Sequence, residues 1–286
     1  MTNGVLNWNV DPVIFMITDS FPLKYYGAFF ACGLLLGYAI VRKIYKKEHL
    51  SLDNLDSLLV YVIVGTILGA RLGHCFFYEP SYFLQHPIEI LLPIQKVAGV
   101  YKFVGFQGLA SHGGTIGVLI AIILYCRKYK VKFLWLLDRM AIGVPVTGAF
   151  IRLGNFMNSE IYGKPTNGNW GIVFQRDDLI PRHPTQLYEA FAYLLIFGIL
   201  LYMYKFEKIR NASGLIFGTF FMLLFVARFI IEFFKENQES FENNMLINMG
   251  QILSIPFIII GLVLVIWKMK SLQSQSESQS QSQFTV

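Results

Sequence analysis

The sequence predicts an all-α integral membrane protein: a bundle of seven transmembrane helices, with its N-terminus outside and its C-terminus in the cytoplasm. Three observations carry this fold class. Hydrophobic residues fill 55% of the 286 positions and charged residues only 15%, with a mean hydropathy of +0.50, whereas a soluble domain has about a quarter charged residues. The apolar residues gather in blocks near the ~20 residues a helix needs to cross a bilayer, too long for the period-2 strands or short buried runs of soluble architectures. Basic residues then recur in alternate connections between blocks, as cytoplasmic loops require.

Residues 1–23 form an extracytoplasmic segment. Its "VIFMIT" is too short to span and is expected in the membrane interface. Neither a basic n-region nor a small-residue cleavage site precedes it, so no signal peptide is expected. The membrane domain covers 24–267, with spans at 24–41, 57–77, 106–126, 133–151, 187–204, 214–234 and 250–267. "RKIYKKEH" follows the first span, "RKYKVK" the third, "KFEKIR" the fifth and "KMK" the seventh. Together they hold thirteen of the 24 Lys and Arg residues, which sets the orientation. The connections 78–105, 152–186 and 235–249 therefore face outward, and the first two are longer than a bundle turn needs, which favours substrate contact. The Ser/Gln-rich segment 268–286 is expected to be a disordered cytoplasmic tail.

Small residues at four-residue spacing (Gly33/Gly37, Gly65/Gly69/Gly73, Gly113/Gly117, Gly214/Gly218) read as helix-packing surfaces. Cys32, Cys75 and Cys126 lack CxxC spacing and suggest neither a disulfide frame nor a zinc site. The net charge of +6 lies in loops, where it reports topology rather than nucleic-acid binding. No HExxH, GxSxG or Walker A pattern is present, against a metal hydrolase, an elbow-type serine hydrolase or an ATP-driven pump. Neither metal nor cofactor is expected.

Topology sets the depth of each intramembrane polar group. At 1.5 Å per residue, Arg71 lies about 21 Å along the second helix, in the outer half, and Arg228 reaches a similar depth in the sixth. His112 lies about 9 Å below the outer end of the third. Arg152, Asn155 and Glu160 leave the outer end of the fourth helix; His183, Gln186 and Glu189 enter the outer end of the fifth. Glu232 sits one turn above Arg228. Asp138 and Arg139, near the cytoplasmic end of the fourth, pair locally or snorkel and read as structural.

Three arginines at headgroup depth suit a phosphate, since a guanidinium donates two parallel hydrogen bonds. Taken singly, each is equally well explained as interhelical glue to Glu160, Glu189 or Glu232. Taken together they favour an anionic headgroup, because unpaired donors at this depth are expensive. His112, flanked by glycines in "SHGGTIG", is read either as a packing histidine or as a general base near neutral pH. His183, between two prolines at a helix start, reads first as a loop-orienting residue. From the residues alone three classes stay open: a lipid-modifying enzyme, a binder or transporter of anionic lipids or small anions, and a purely structural polar set. A transporter favours midplane sites in repeated halves; no repeat is evident, and these groups sit off-centre.

The stretch "RLGNFMNSEIYG" resembles the signature of the prolipoprotein diacylglyceryl transferases. "YYGAFFACG", "GARLGHCFFYEP", "SHGGTIG", "RHPTQLYEA", "RFIIEFFKENQE" and "MGQILSIP" agree with that family in order and spacing. The resemblance implies transfer of a diacylglyceryl group from phosphatidylglycerol to the lipobox cysteine of a prolipoprotein, forming a thioether and releasing glycerol phosphate. It implies that Arg152 binds phosphatidylglycerol, with Asn155, Glu160 and Gly163 shaping that site, and that Tyr26, His112 and Arg228 occupy essential positions. Arg71 and His183 join the headgroup-binding set through their shared depth. The implied partners are phosphatidylglycerol and a prolipoprotein signal peptide, with no nucleic acid. The implied location is the bacterial plasma (inner) membrane, as a multi-pass protein whose site faces outward. Two departures stand out: Ile151 precedes Arg152 where the family often has Gly, and the connection from Gly163 to Arg182 is short, which argues against an elaborate outer head domain.

Overall fold

The computed structural model describes residues 4–18, 21–92, 94–97, 100–103, 108–236, 242 and 245–283. Parts of the expected outward connections (93, 98, 99, 104, 105, 237–241, 243 and 244), the start of the expected third span (106 and 107) and residues 284–286 of the tail lie outside this set.

The chain is predominantly helical. Six helices are long and apolar enough to cross a membrane: α1 (Tyr25–Lys47), α2 (Leu52–Phe77), α6 (Phe133–Met157), α7 (Thr185–Lys205), α9 with its terminal 3₁₀ turn (Leu215–Phe234), and the apolar part of α10 (Met249–Ser274). The expected third span corresponds to α5, Ser111–Tyr129. It has 19 residues, and Ser-His-Gly-Gly at one end and Arg-Lys-Tyr at the other dilute its apolar centre. Short helices α3 (Pro80–Gln85), α4 (Ile88–Leu91) and α8 (Glu207–Asn211) occupy connections.

Helices overrun the apolar blocks because backbone hydrogen bonding does not stop where hydropathy does. α1 continues to Lys46 and Lys47, cations that suit the negative end of the helix dipole. α10 runs to Gln283, through the Ser/Gln stretch expected to be unstructured. That stretch contains no Gly or Pro to break the helix, and adding a residue to an existing helix costs far less than nucleating one.

The described residues also contain strands. β1 (Val5–Trp8) pairs parallel with β6 (Gly171–Phe174), which pairs antiparallel with β7 (Pro181–Arg182). The "VIFMIT" segment is strand β2 (Val13–Thr18), in an antiparallel hairpin with β3 (Phe21–Lys24). Strands β4 (Ile94–Val97) and β5 (Val100–Phe103) form another hairpin.

The chain divides into two compact units, Met1–Ile44 with Leu134–Val286, and Tyr45–Phe133. In the first, Ile142, Leu200 and Ile216 are fully buried in a core of α6, α7 and α9. Helix α1 approaches α6 closely: the Thr147 hydroxyl donates to Gly33 O at 2.9 Å, and a Cβ on Gly37 would stand 2.6 Å from that hydroxyl oxygen. Asp138, fully buried on α6, accepts from the backbone N–H groups of Gly214 (2.6 Å) and Phe217 (2.7 Å). It caps the start of α9 from another helix, satisfying donors that the helix leaves free. Arg139 donates to Arg210 O at 3.3 Å and stacks 4.3 Å over Trp135. Both residues act structurally: Asp138 through an interhelical partner, and Arg139 through both an interhelical partner and the local Trp135, whose carbonyl accepts from its Nη1 at 3.4 Å. Asp138→Ala is expected to lower stability by about 2 kcal/mol or more, since it orphans two buried donors, while Asp138→Asn loses less. Thermal unfolding in detergent checks the order.

In the second unit, α2 and α5 pack through their glycines. A Cβ on Gly69 would stand 2.7 Å from Gly117 Cα, and one on Gly73 would stand 2.7 Å from Gly113 Cα. Backbones this close replace the hydrophobic driving force that lipid does not supply.

Candidate functional site

The signature stretch ends α6 in the first unit. Arg152 and Asn155 occupy its last turns, and the helix closes with Glu160 N–H donating to Asn155 O at 3.1 Å. The chain then enters the left-handed region twice without glycine, at Ser159 (φ 57°) and Ile161 (φ 59°). For β-branched Ile161 that conformation is strained and persists only where surroundings enforce it. The enforcers are the first residues of α7, both fully buried: Thr185 Oγ1 donates to Ile161 O at 3.0 Å and Gln186 Nε2 to Glu160 O at 2.7 Å.

This turn aims the Glu160 carboxylate back at the helix. It accepts from Asn155 Nδ2 at 2.8 Å and Asn158 Nδ2 at 3.3 Å, while Asn155 Oδ1 accepts from Arg152 Nη1 at 3.3 Å. Donor and acceptor chemistry allows one polarity only: a carboxylate accepts, a guanidinium donates, and the Asn155 amide can face each correctly in a single orientation. Asn155 and Glu160 thus orient Arg152.

On its other side Arg152 Nε meets Glu189 Oε2 at 2.9 Å. Glu189 is fully buried on α7, and its Oε1 accepts from Lys235 Nζ at 2.8 Å. Lys235 Nζ stands 3.8 Å from Glu232 Oε2, and Glu232 Oε1 accepts from Asn248 Nδ2 at 3.4 Å. Tyr193 lies against Arg152 and within electrostatic reach of Arg228, and Tyr26 is likewise within reach of Arg152. Gly154 admits Tyr26, since a Cβ there would stand 3.0 Å from its ring. Arg228, half-buried on α9, makes no hydrogen bond or ion pair with a described residue. Glu232, its neighbour one turn on, turns to Lys235 and Asn248 instead.

Gly163 closes the loop. Its N–H donates to His183 O at 2.8 Å, its backbone bridges Lys235, and a Cβ would meet Thr185 Cγ2 at 2.7 Å and His183 Cβ at 2.8 Å. Gly163→Ala is expected to displace the Glu160 turn and cut activity at least about ten-fold, since positional errors near 1 Å cost up to a hundred-fold. Turnover beside an unfolding curve checks it, and full activity would count against a role for this close packing. His183 Nδ1 lies 3.2 Å from Tyr188 Oη, among Trp170 and Phe234. Burial pushes the His183 imidazole below its ordinary pKa, favouring the neutral ring. Arg182 pairs with Asp178 at 2.5 Å and with Glu236, and that guanidinium holds the Asp178 carboxyl below the usual carboxylate range.

Arg71 and His112 belong to the second unit. Arg71, buried, donates to the carbonyls of Glu89 (2.5 Å), Ile90 (3.2 Å) and Gly108 (3.4 Å) and stacks 4.7 Å over Phe83. These bonds tie the connection after α2 to the helix. His112 is exposed in the first turn of α5. Its neighbour Gly113 faces α2, where a Cβ would stand 2.8 Å from Gly73 Cα, so this glycine serves helix packing. Among the described residues no three His, Cys, Asp or Glu side chains gather as a metal would need.

The first unit therefore brings together Tyr26, Arg152, Asn155, Glu160, Gly163, His183 and, through Tyr193, Arg228. Lys235, Thr185 and Tyr193 had no place in the sequence reading; Gln186 entered it only as a polar group at the same level, and Glu189 also as one of three acids that could pair with an arginine, as it does with Arg152. Lys235 did leave a signal: it is a lysine in a connection that the sequence reading assigns to the side expected to be poor in them.

The family model for prolipoprotein diacylglyceryl transferase matches residues 12–267. The chain belongs to this family. A phosphatidylglycerol–prolipoprotein diacylglyceryl transferase of Tolumonas auensis is 49% identical over 268 residues, covering 93% of this chain and 99% of that one. One of the same name from Bacteroides fragilis is 44% identical, covering 94% and 98%, and one from Chloroherpeton thalassium 41%, covering 95% and 97%. The transferase matches span α1 to α10, so they include both the Arg152 cluster and the second unit.

Proposed function

We propose that this chain is the transferase that moves a diacylglyceryl group from phosphatidylglycerol to the lipobox cysteine thiol of prolipoproteins, the first step of lipoprotein maturation. The reaction is a substitution at a saturated carbon. A sulfur–carbon bond forms, the carbon–oxygen bond to phosphate breaks, the electron pair leaves on glycerol phosphate, and the thiol proton passes to a base. The observation that carries the reading is how Arg152 is held. Glu189 holds its Nε side as an ion pair and Asn155 Oδ1 accepts from Nη1, so the guanidinium is placed before a ligand arrives. Fixed donors directed at developing charge lower the barrier without reorganising during reaction.

Arg228, which like Arg152 lies within electrostatic reach of Tyr193, supplies the second cation for the phosphate. Tyr26 completes the wall beside Arg152, and Gly163 and His183 brace the Glu160 turn. Arg71 serves by fixing the connection after α2. The thiol needs help to ionise, because a free cysteine has a pKa of about 8.5. His112, exposed and without a partner among the described residues, takes that proton; an arginine-assisted route without a histidine base is the alternative for this step.

For topology, α5 joins the six longer apolar helices as the third of seven spans, the N-terminus lies outside and the C-terminus in the cytoplasm, with 78–105, 152–186 and 235–249 facing outward. The alternation of basic connections supports this orientation. The bacterial relatives support a plasma (inner) membrane location. The decisive experiment incubates purified protein with phosphatidylglycerol and a lipobox peptide. A diacylglyceryl mass gain on the cysteine with stoichiometric glycerol phosphate is expected; folded protein that yields neither would defeat the proposal.

A further inference from the structure

Lys235 follows the 3₁₀ turn after α9, 5% exposed. Its backbone is tied to Gly163 by a β-bridge, which fixes where the side chain starts. The ammonium then lies between two carboxylates, 2.8 Å from Glu189 Oε1 and 3.8 Å from Glu232 Oε2. Arg152, Glu189, Lys235 and Glu232 thus form a chain of alternating sign in a poorly solvated interior.

Such an arrangement has a consequence for the ligand. A buried carboxylate facing one guanidinium alone largely cancels its charge, and in low dielectric the cancellation is strong. Glu189 is shared instead: Oε2 holds Arg152 Nε at 2.9 Å while Oε1 is taken by Lys235. The second cation leaves Arg152 with attraction to spare for an anion and keeps the carboxylate from rotating to clasp the whole guanidinium fork. Glu232 is balanced by the same ammonium and by Asn248, so it does not pair with Arg228 either.

We infer that Lys235 is a positioning residue for the transfer: acting through Glu189, it sets the charge and direction that Arg152 presents to the lipid phosphate. This rests on the phosphatidylglycerol reading of Arg152. It assigns Lys235 no contact with the reacting atoms, so its effect belongs to lipid affinity and not to the thiol.

The test uses the full chain in detergent, with Lys235→Met, Lys235→Arg, Glu189→Gln and the double variant Glu189→Gln/Lys235→Met. Dioleoyl-phosphatidylglycerol binding is measured by native mass spectrometry, alongside KM for lipid and peptide. Lys235→Met, which keeps the aliphatic stem, is expected to weaken lipid binding and raise the lipid KM about ten-fold, the scale of one charge-assisted hydrogen bond. The peptide KM should stay within about two-fold and Lys235→Arg should restore lipid binding, because the effect travels through charge. The double variant should bind lipid no more weakly than Glu189→Gln alone, since residues acting through one another are not additive. Unchanged lipid binding in Lys235→Met would overturn the inference. So would a loss shared equally by both substrates, accompanied by a lower melting temperature and not restored by arginine, since that is a brace and nothing more. Wild-type protein that binds the lipid yet transfers nothing would defeat the reaction assigned above, while the binding comparison would still decide the role of Lys235.

Discussion

Arg152→Ala is expected to lower kcat/KM for diacylglyceryl transfer by 10²- to 10³-fold or more, the scale of losing one preorganised donor to developing charge, about 3–4 kcal/mol. Part of the damage is structural. Removal leaves Glu189 Oε2 buried without its cation, and breaking a buried pair from one side costs about 3–5 kcal/mol. Lys235 remains on Oε1 and limits that cost. Arg152→Lys separates the two effects. An ammonium can still pair with Glu189, so stability should be near wild type, but it cannot also bond Asn155 and give a phosphate two parallel hydrogen bonds. Its activity should fall about a hundred-fold. Turnover and melting temperature together check this: wild-type turnover in the lysine variant would mean that the fork geometry is irrelevant, and in the alanine variant that phosphate is held elsewhere.

Much of this arrangement was legible in the sequence because its signals are local. Apolar blocks announce helices by length and composition, and "RLGNFMNSEIYG" puts Arg152, Asn155 and Glu160 within one helical exit. The limits were equally physical. Hydropathy cannot mark where a helix ends, so α1 and α10 overrun their apolar blocks through Lys46 and the Ser/Gln stretch. Short strands such as β1 and β6 pair across more than 160 residues, and no local pattern encodes a partner that far away. Asp138 looked like a local pairing residue because its ligands are backbone N–H groups of α9, which carry no sequence identity. Arg71 was read by depth as a phosphate ligand; its observed acceptors are carbonyls of residues 89, 90 and 108, again invisible in residue type. Lys235 was hidden for a related reason: its importance lies in two carboxylates supplied by different elements.

Arg228→Ala is expected to match Arg152→Ala in lost activity and differ from it in stability. The contrast follows from partners. Arg152 satisfies a buried glutamate, whereas Arg228 makes no ion pair with a described residue, and Glu232, the acid placed to take it, belongs to Lys235 and Asn248. A half-buried guanidinium on an apolar helix, without a countercharge among the described residues, is a cost to the fold, so its removal should leave the melting temperature unchanged or raised. The same charge, half-buried, interacts more strongly with an anion than a fully solvated one would. kcat/KM should therefore drop by about 10²- to 10³-fold. Wild-type protein should also be stabilised by added glycerol phosphate, because a ligand that binds only the folded state raises its stability, and Arg228→Ala should lose most of that shift. A thermal titration with glycerol phosphate reads this without turnover. An Arg228→Ala protein that melts well below wild type would mean the guanidinium is structural after all, and an undiminished shift would move the phosphate away from α9.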